Sequence, residues 1–267
     1  SAHIPAAVTV EPAREAGLGA IEQMGYALKV GSPQGAPIAA DVAAGRITGA
    51  EAGVRTLATF DEATASAAFR GLAARGTFVT PTLNGSKVTA YLDQDNHAAD
   101  PYLAYIGPGL KGTYAWRVER AAKDDAAAIA RRHAVYEKNV SLLPLLQAAG
   151  VSILAGTDAG FLNSFNYPGI GLHDELQIFV DGGLTPLQAL QASVINGPRF
   201  LGKSERYGAV APGKAADLLI LDHNPLTDIS ATRQIGGIVL KGRYFDRAAL
   251  DQMLKTAREQ VAKREGA

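Results

Sequence analysis

Three short apolar runs, "GAIEQMG" at 19–25, "TFVTPTL" at 77–83 and "VSILAGTDAG" at 151–160, each stop at polar or glycine residues, with helix-forming sequence between them. Such runs have the composition of buried strands. A strand can lie parallel to its neighbour only across a connection of about a dozen residues or more, usually a helix. The spacing therefore predicts an α/β fold with a parallel sheet.

The intervals carry helix signals. "DEATASAAFRGLAARG" offers Asp61 as N-cap, an apolar face at Ala65, Phe69 and Leu72, and Gly76 as a stop. Residues 124–149 read as a long helix thickened by Leu142, Leu143, Leu145 and Leu146, with Pro144 as a kink. "HDELQIFVDGG" and "LTPLQALQASVINGPRFLG" read as two more, the second with Thr185 as N-cap, Pro186 at its first turn and Gly197-Pro198 breaking it. Residues 1–30 predict two short strand-to-helix passages, with Pro12 near a helix start and Gly17 after its end, and 31–56 predict a loop with short helices. Residues 84–123, with Tyr91, Tyr102, Tyr105, Tyr114 and Trp116, form a long insertion whose aromatics are expected to secure it to the fold rather than to form a lid.

From residue 207 the character changes. "AADLLILD" and "IGGIVLKGRYFD" are strands separated by a turn, and a charged helix follows. The division expected is 1–206 for a (β/α) unit, 207–247 for a small β appendage and 248–267 for a terminal helix. At 267 residues, one large core with an appendage is the expected organisation.

Composition narrows the chemistry. Lys plus Arg and Asp plus Glu both number 26, so there is no net charge and no basic stripe to hold nucleic acid. The chain has no cysteine, which excludes disulfides and thiolate metal sites and leaves His, Asp, Glu and a modified Lys as strong ligands. No apolar run approaches the roughly 20 residues that span a bilayer, so no membrane partner is expected. The chain opens without Met, directly in what reads as working sequence. It gives no compartment.

Parallel α/β folds carry chemistry at the C-terminal ends of their strands, which directs attention to His3, Gln23, the stretch Thr80 to Thr82, and Asp158. An aspartate bounded by Gly156 and Gly160 can bind a cation and take a proton from water, or serve as a helix cap or turn residue. His97, His133 and His223 read as loop, solvated-face and turn residues respectively.

"ILAGTDAG", "GLHDELQIFVDGGLTPLQALQASVINGPRFLG", "GAVAPGKAADLLILDHNPL" and "GGIVLKGRYFD", in that order and spacing, closely resemble the end of a metal-dependent amidohydrolase of the imidazolonepropionase and prolidase-like branch. "HIPAAVTVEPAREAGLGAIEQM" is similar to that family's fifth and sixth barrel strands, and "FDEATASAAFRGLAARGTFVTPTL" to the approach to its seventh. The resemblance implies a TIM-like (β/α) barrel of which about the second half, strands five to eight, is visible, with a small C-terminal β-sandwich appendage. It implies zinc or another divalent metal, one or two ions. It assigns His3 to the fifth-strand ligand, Gln23 to a position where the family carries histidine, and Asp158 to the eighth-strand ligand and proton shuttle. His173 and Thr82 become candidate substrate contacts.

The implied activity is cleavage of an amide, cyclic amide or peptide-like C–N bond by metal-activated water. The family's His-X-His pair has no counterpart here, and neither do its first four strands. The partners expected are a small-molecule substrate and either the missing N-terminal half or a second copy of the chain. The alternative is a non-catalytic half-barrel that has lost its metal and persists as a scaffold or oligomeric binding module.

Overall fold

The computed structural model describes residues 1–266, without the side chains of Arg14 and Glu265. In chain order it runs α1 (Val10–Glu15), β1 (Ala20–Glu22), α2 (Met24–Leu28), α3 (Gly35–Ala43), α4 (Gly49–Ala58), α5 (Glu62–Ala74), β2 (Phe78–Thr80), α6 (Leu83–Ala90), α7 (Pro108–Lys111) and α8 (Ala115–Ala121). The second part contains α9 (Ala126–Ala148), α10 (Ile170–Asp181), α11 (Pro186–Val194), α12 (Asn196–Phe200), β3 (Leu218–Leu221), β4 (Ile235–Leu240), β5 (Arg243–Asp246) and α13 (Arg247–Glu265). The fold is α/β, and no described helix is long and apolar enough to cross a membrane.

β1 and β2 pair in parallel, with Ile21 opposite Val79. Single parallel bridges extend the pair on both sides, Ala2 to Ile21 and Ile153 to Val79. Four chain segments therefore lie side by side in sequence order and point the same way. The strands are shorter than expected: the run at 151–160 contributes only the bridge at Ile153, and the run at 77–83 only its first half. Pro81 has no N–H to give a ladder, and Thr82 turns left-handed at φ 50°. β1 ends because Gln23 leaves the extended region at φ 68°.

The core packs around this sheet. Ile21, Val79, Phe69, Leu72, Phe179, Leu142, Leu143 and Leu146 are fully buried, and α9 lays its leucine face against α2, α5 and α6. Pro144 sits inside α9 without ending it. Asp61 caps α5 by accepting from the Thr64 N–H at 2.7 Å. Thr185 and Gln188 form a reciprocal capping box on α11. The break expected at Gly197-Pro198 falls earlier, at Ile195, and that pair lies inside the short α12.

The long insertion is helical and packed. Tyr114, buried, meets Phe165 edge-on at 5.0 Å, and Tyr102 and Tyr167 join the same small apolar cluster. Trp116 is the exception, exposed beneath the Arg117 guanidinium. The C-terminal strands form a three-stranded antiparallel sheet in the order β3, β4, β5, with α13 against it.

Candidate active site

The C-terminal ends of the four parallel segments lie on one side of the sheet, and a cavity of about 550 Å³ opens there. Gln23, Thr82 and Asp158 all line it. Each has a positive φ, 68°, 50° and 55° respectively, although none is glycine. A β-branched threonine in that region is an outlier, and such conformations persist only where the surroundings hold them. Backbone bonds do so at the first two: the Gln23 N–H donates to the Thr80 carbonyl at 2.8 Å and the Met24 N–H to the Pro81 carbonyl at 2.9 Å.

Asp158 faces Gln23, whose Nε2 donates to Oδ2 at 3.3 Å. Its own carbonyl accepts from Asn163 Nδ2 at 2.5 Å. No helix is capped by its side chain, which removes the capping reading. Gly156 lets the segment approach β2, since a Cβ there would meet Thr80 Cγ2 at 2.7 Å.

Three arginines, Arg117, Arg131 and Arg132, also line the cavity, and Asp158 is the one carboxylate among the lining residues. Arg117 spends three donors on neutral acceptors: the Leu162 carbonyl at 2.7 Å, Thr89 Oγ1 at 3.0 Å and Asn163 Oδ1 at 2.6 Å. Burial pushes its pKa down, and the Asp158 charge opposes that shift. Arg132 is ion-paired with Asp124 at 3.1 Å and Asp93 at 3.5 Å, although neither contact has hydrogen-bond alignment.

His3 and His173 are not among the lining residues. His3 follows the Ala2 bridge, is exposed, and stacks on Tyr26 at 5.1 Å. His173, on α10, pairs through Nδ1 with Thr232 Oγ1 at 3.0 Å, and burial lowers its pKa. His133 is not a freely solvated residue: it pairs with Asp93 at 3.0 Å and stacks on Tyr91 at 4.4 Å.

One group of three ligand-type side chains, Asp95, His97 and Asp100, converges within 4.8 Å among the described residues. It stands outside the cavity lining, and its donors are engaged: Asp100 accepts from Tyr167 at 2.8 Å and pairs with His97, whose ring stacks on Phe165. In the cavity the donors are the Asp158 carboxylate and the side-chain amides of Gln23, Asn139, Asn163 and Asn166. That set does not by itself fit zinc, which takes three or four strong protein ligands.

Sequence reading missed the arginines of the cavity and a buried carboxylate on α10. Glu175 is fully buried on α10, and both its oxygens accept backbone N–H groups, from Leu83 at 2.9 Å and Asn84 at 2.6 Å. A signal for it existed, because Glu175 falls on the apolar stripe of Leu172, Leu176 and Phe179. Arg117 and Asn166 carry no such periodic signal.

Comparison with known proteins places this arrangement. The Aspergillus niger ochratoxinase is 38% identical over 88 residues, which are 32% of this chain and 17% of the enzyme. Among solved structures, bottromycin amidohydrolase superposes with a TM-score of 0.68 at 21% identity, covering 97% of this chain and 52% of that one. A prolidase complexed with N-methylphosphonate-L-proline gives 0.55 at 19% identity, covering 92% and 44%. The chain thus spans about half the length, or less, of the proteins it matches. The model of the amidohydrolase family matches residues 22–244, and the chain belongs to that family.

Proposed function

We propose that this chain supplies part of the catalytic apparatus of a hydrolase cleaving an amide-type C–N bond in a small molecule. One observation carries the reading: Asp158 stands at the C-terminal edge of a parallel sheet, held at φ 55° and lining a cavity that also holds Arg117 and Arg131. A carboxylate so placed accepts a proton from the attacking water and returns it to the leaving nitrogen. Arg117 and Arg131, in the same lining, favour a substrate that carries negative charge or develops it in the transition state.

The parallel order of the Ala2 segment, β1, β2 and the Ile153 segment supports reading them as strands five to eight of a (β/α)₈ barrel, with 207–247 as its β-sandwich appendage. Zinc or another divalent ion belongs to this proposal on family grounds. Gln23 and Asp158 fall short of a full ligand set, and no step is assigned to the ion.

The test is hydrolysis of N-acyl amino acids, cyclic amides and dipeptides by the protein, with and without added zinc, beside Asp158→Asn. Turnover that falls at least ~1,000-fold in the variant, the order of magnitude expected when a group central to proton transfer is lost, supports the reading. Absence of turnover and of retained metal under every condition would favour the non-catalytic scaffold instead.

A further inference from the structure

Glu175 is fully buried, is absent from the cavity lining, has no cation at hydrogen-bond range among the described residues, and has no place in the chemistry proposed above. Its contacts form a chain that ends at the reactive carboxylate. The Leu83 and Asn84 N–H groups it accepts are the first two of α6, donors that no residue of that helix can satisfy. Thr82, the residue before them, offers no side-chain cap. Glu175 is thus a cap supplied by another helix.

From there the chain continues through side-chain amides. Asn84 Nδ2 donates to Asn166 Oδ1 at 2.9 Å, and Asn166 Nδ2 donates to the carbonyl of Thr157, the residue preceding Asp158. Asn84 and Asn166 are 7% and 1% exposed, so water does not compete for these bonds. Two glycines leave room for the pair: a Cβ on Gly171 would meet Asn166 Oδ1 at 2.7 Å, and one on Gly85 would meet Asn166 Nδ2 at 3.0 Å.

We infer that Glu175 is a positioning residue for Asp158, fixing its left-handed backbone through Asn84, Asn166 and the Thr157 carbonyl. The same cap pins Thr82 from the other side, so one buried carboxylate sets two of the three positive-φ residues that line the cavity. Burial raises the pKa of Glu175 to about 8, against the pull of its two N–H bonds, which marks a group whose desolvation the fold tolerates for the contacts it makes. The inference rests on Asp158 being the reactive carboxylate, but its test requires no turnover.

Backbone amide hydrogen exchange is measured residue by residue on the whole chain, for the wild type, Glu175→Gln, Asn166→Ser and the double variant. Positioning predicts exchange about tenfold faster or more at Leu83 and Asn84 and also at Ala159, whose N–H donates to Thr157 Oγ1 at 3.3 Å, in Glu175→Gln, the scale of one lost buried hydrogen bond, with β3 to β5 unchanged. It further predicts that the double variant exchanges at Ala159 no faster than Asn166→Ser, because both substitutions cut the same chain.

Faster exchange confined to Leu83 and Asn84 would overturn the inference and leave Glu175 a local cap. Uniform acceleration across the molecule, or additive effects at Ala159, would overturn it as well. Should Glu175→Gln fail to fold, Asn84→Ser interrupts the same chain one step later, with the same two outcomes at Ala159. Hydrolysis without coupled exchange would remove the inference and keep the proposed function. Coupled exchange in a protein that never hydrolyses an amide would do the reverse.

Discussion

Gly171 occupies the second position of α10, and replacing it with alanine sets two effects against each other. Alanine is favoured over glycine in a helix interior by up to about 1 kcal/mol, and by less in the first turn. Against this, the new methyl would lie 2.7 Å from Asn166 Oδ1 and 3.0 Å from Asn84 Nδ2, while those two atoms are bonded to each other at 2.9 Å. Asn166 can retreat only by releasing Asn84, Thr157 or both. Each buried polar group left unpaired costs about 1–3 kcal/mol, so the net effect of Gly171→Ala is a loss of about 1–5 kcal/mol. In a chain of this size 1 kcal/mol moves Tm by about 2–4 °C, which places the expected drop between about 2 and 20 °C in thermal unfolding. Gly53→Ala in α4 is the matched control, because its Cβ meets nothing within 4 Å and the helix term acts alone. Stabilisation of up to about 1 kcal/mol is expected there. A Gly171→Ala protein as stable as the wild type would refute the claim that the asparagine pair is held rigidly.

The cavity and its surroundings give further expectations. Gln23→His replaces a weak amide ligand with imidazole beside Asp158 and should tighten zinc binding by at least tenfold in competition dialysis, the imidazole being much the stronger zinc ligand; unchanged affinity would remove Gln23 from the metal position. His173→Gln should leave zinc affinity unaltered, since His173 bonds Thr232 and is absent from the cavity lining. The same variant tests a pH dependence. Burial first, then Arg233, lowers the His173 pKa from 6.5, so the unfolded chain takes up the proton before the folded one does. Stability from this residue is present above pH 6.5 and is lost as pH falls through the lower folded value. Urea midpoints should therefore decline less steeply below pH 6.5 in His173→Gln than in the wild type, and parallel curves would contradict the burial argument.

The α/β class was legible because it rests on local signals. Asp61 and Thr185 announce α5 and α11 through capping chemistry that spans three residues, and the apolar runs announce β1 and β2 by composition alone. Strand length was less legible: the turn to positive φ at Gln23 and Thr82 has no signal in the residues themselves, since neither is the glycine that would announce it. His133 was misread for a related reason. Its helix shows a charged face, but Asp93 and Tyr91 come from a segment some 40 residues upstream and cover that face.

The same distinction explains which parts of the site could be found. Gln23, Thr82 and Asp158 were legible because a strand end is a position in the local pattern, and the parallel pairing then brings the ends together without further instruction from the sequence. The groups that hold them are long-range partners: Gln23 reaches Asp158 across 135 residues, and Glu175 reaches Leu83 across 92. For such contacts periodicity carries information only when a residue contradicts its own stripe, as Glu175 does among the apolar positions of α10. Asn166 and Arg117 lie in irregular or short helical segments with no stripe to contradict, and only the folded chain shows that one is bonded to the backbone beside Asp158 and that the other shares Asn163 with the Asp158 carbonyl. A carboxylate on an apolar stripe is thus the sequence signal that leads from the visible strand ends to the buried groups that fix them.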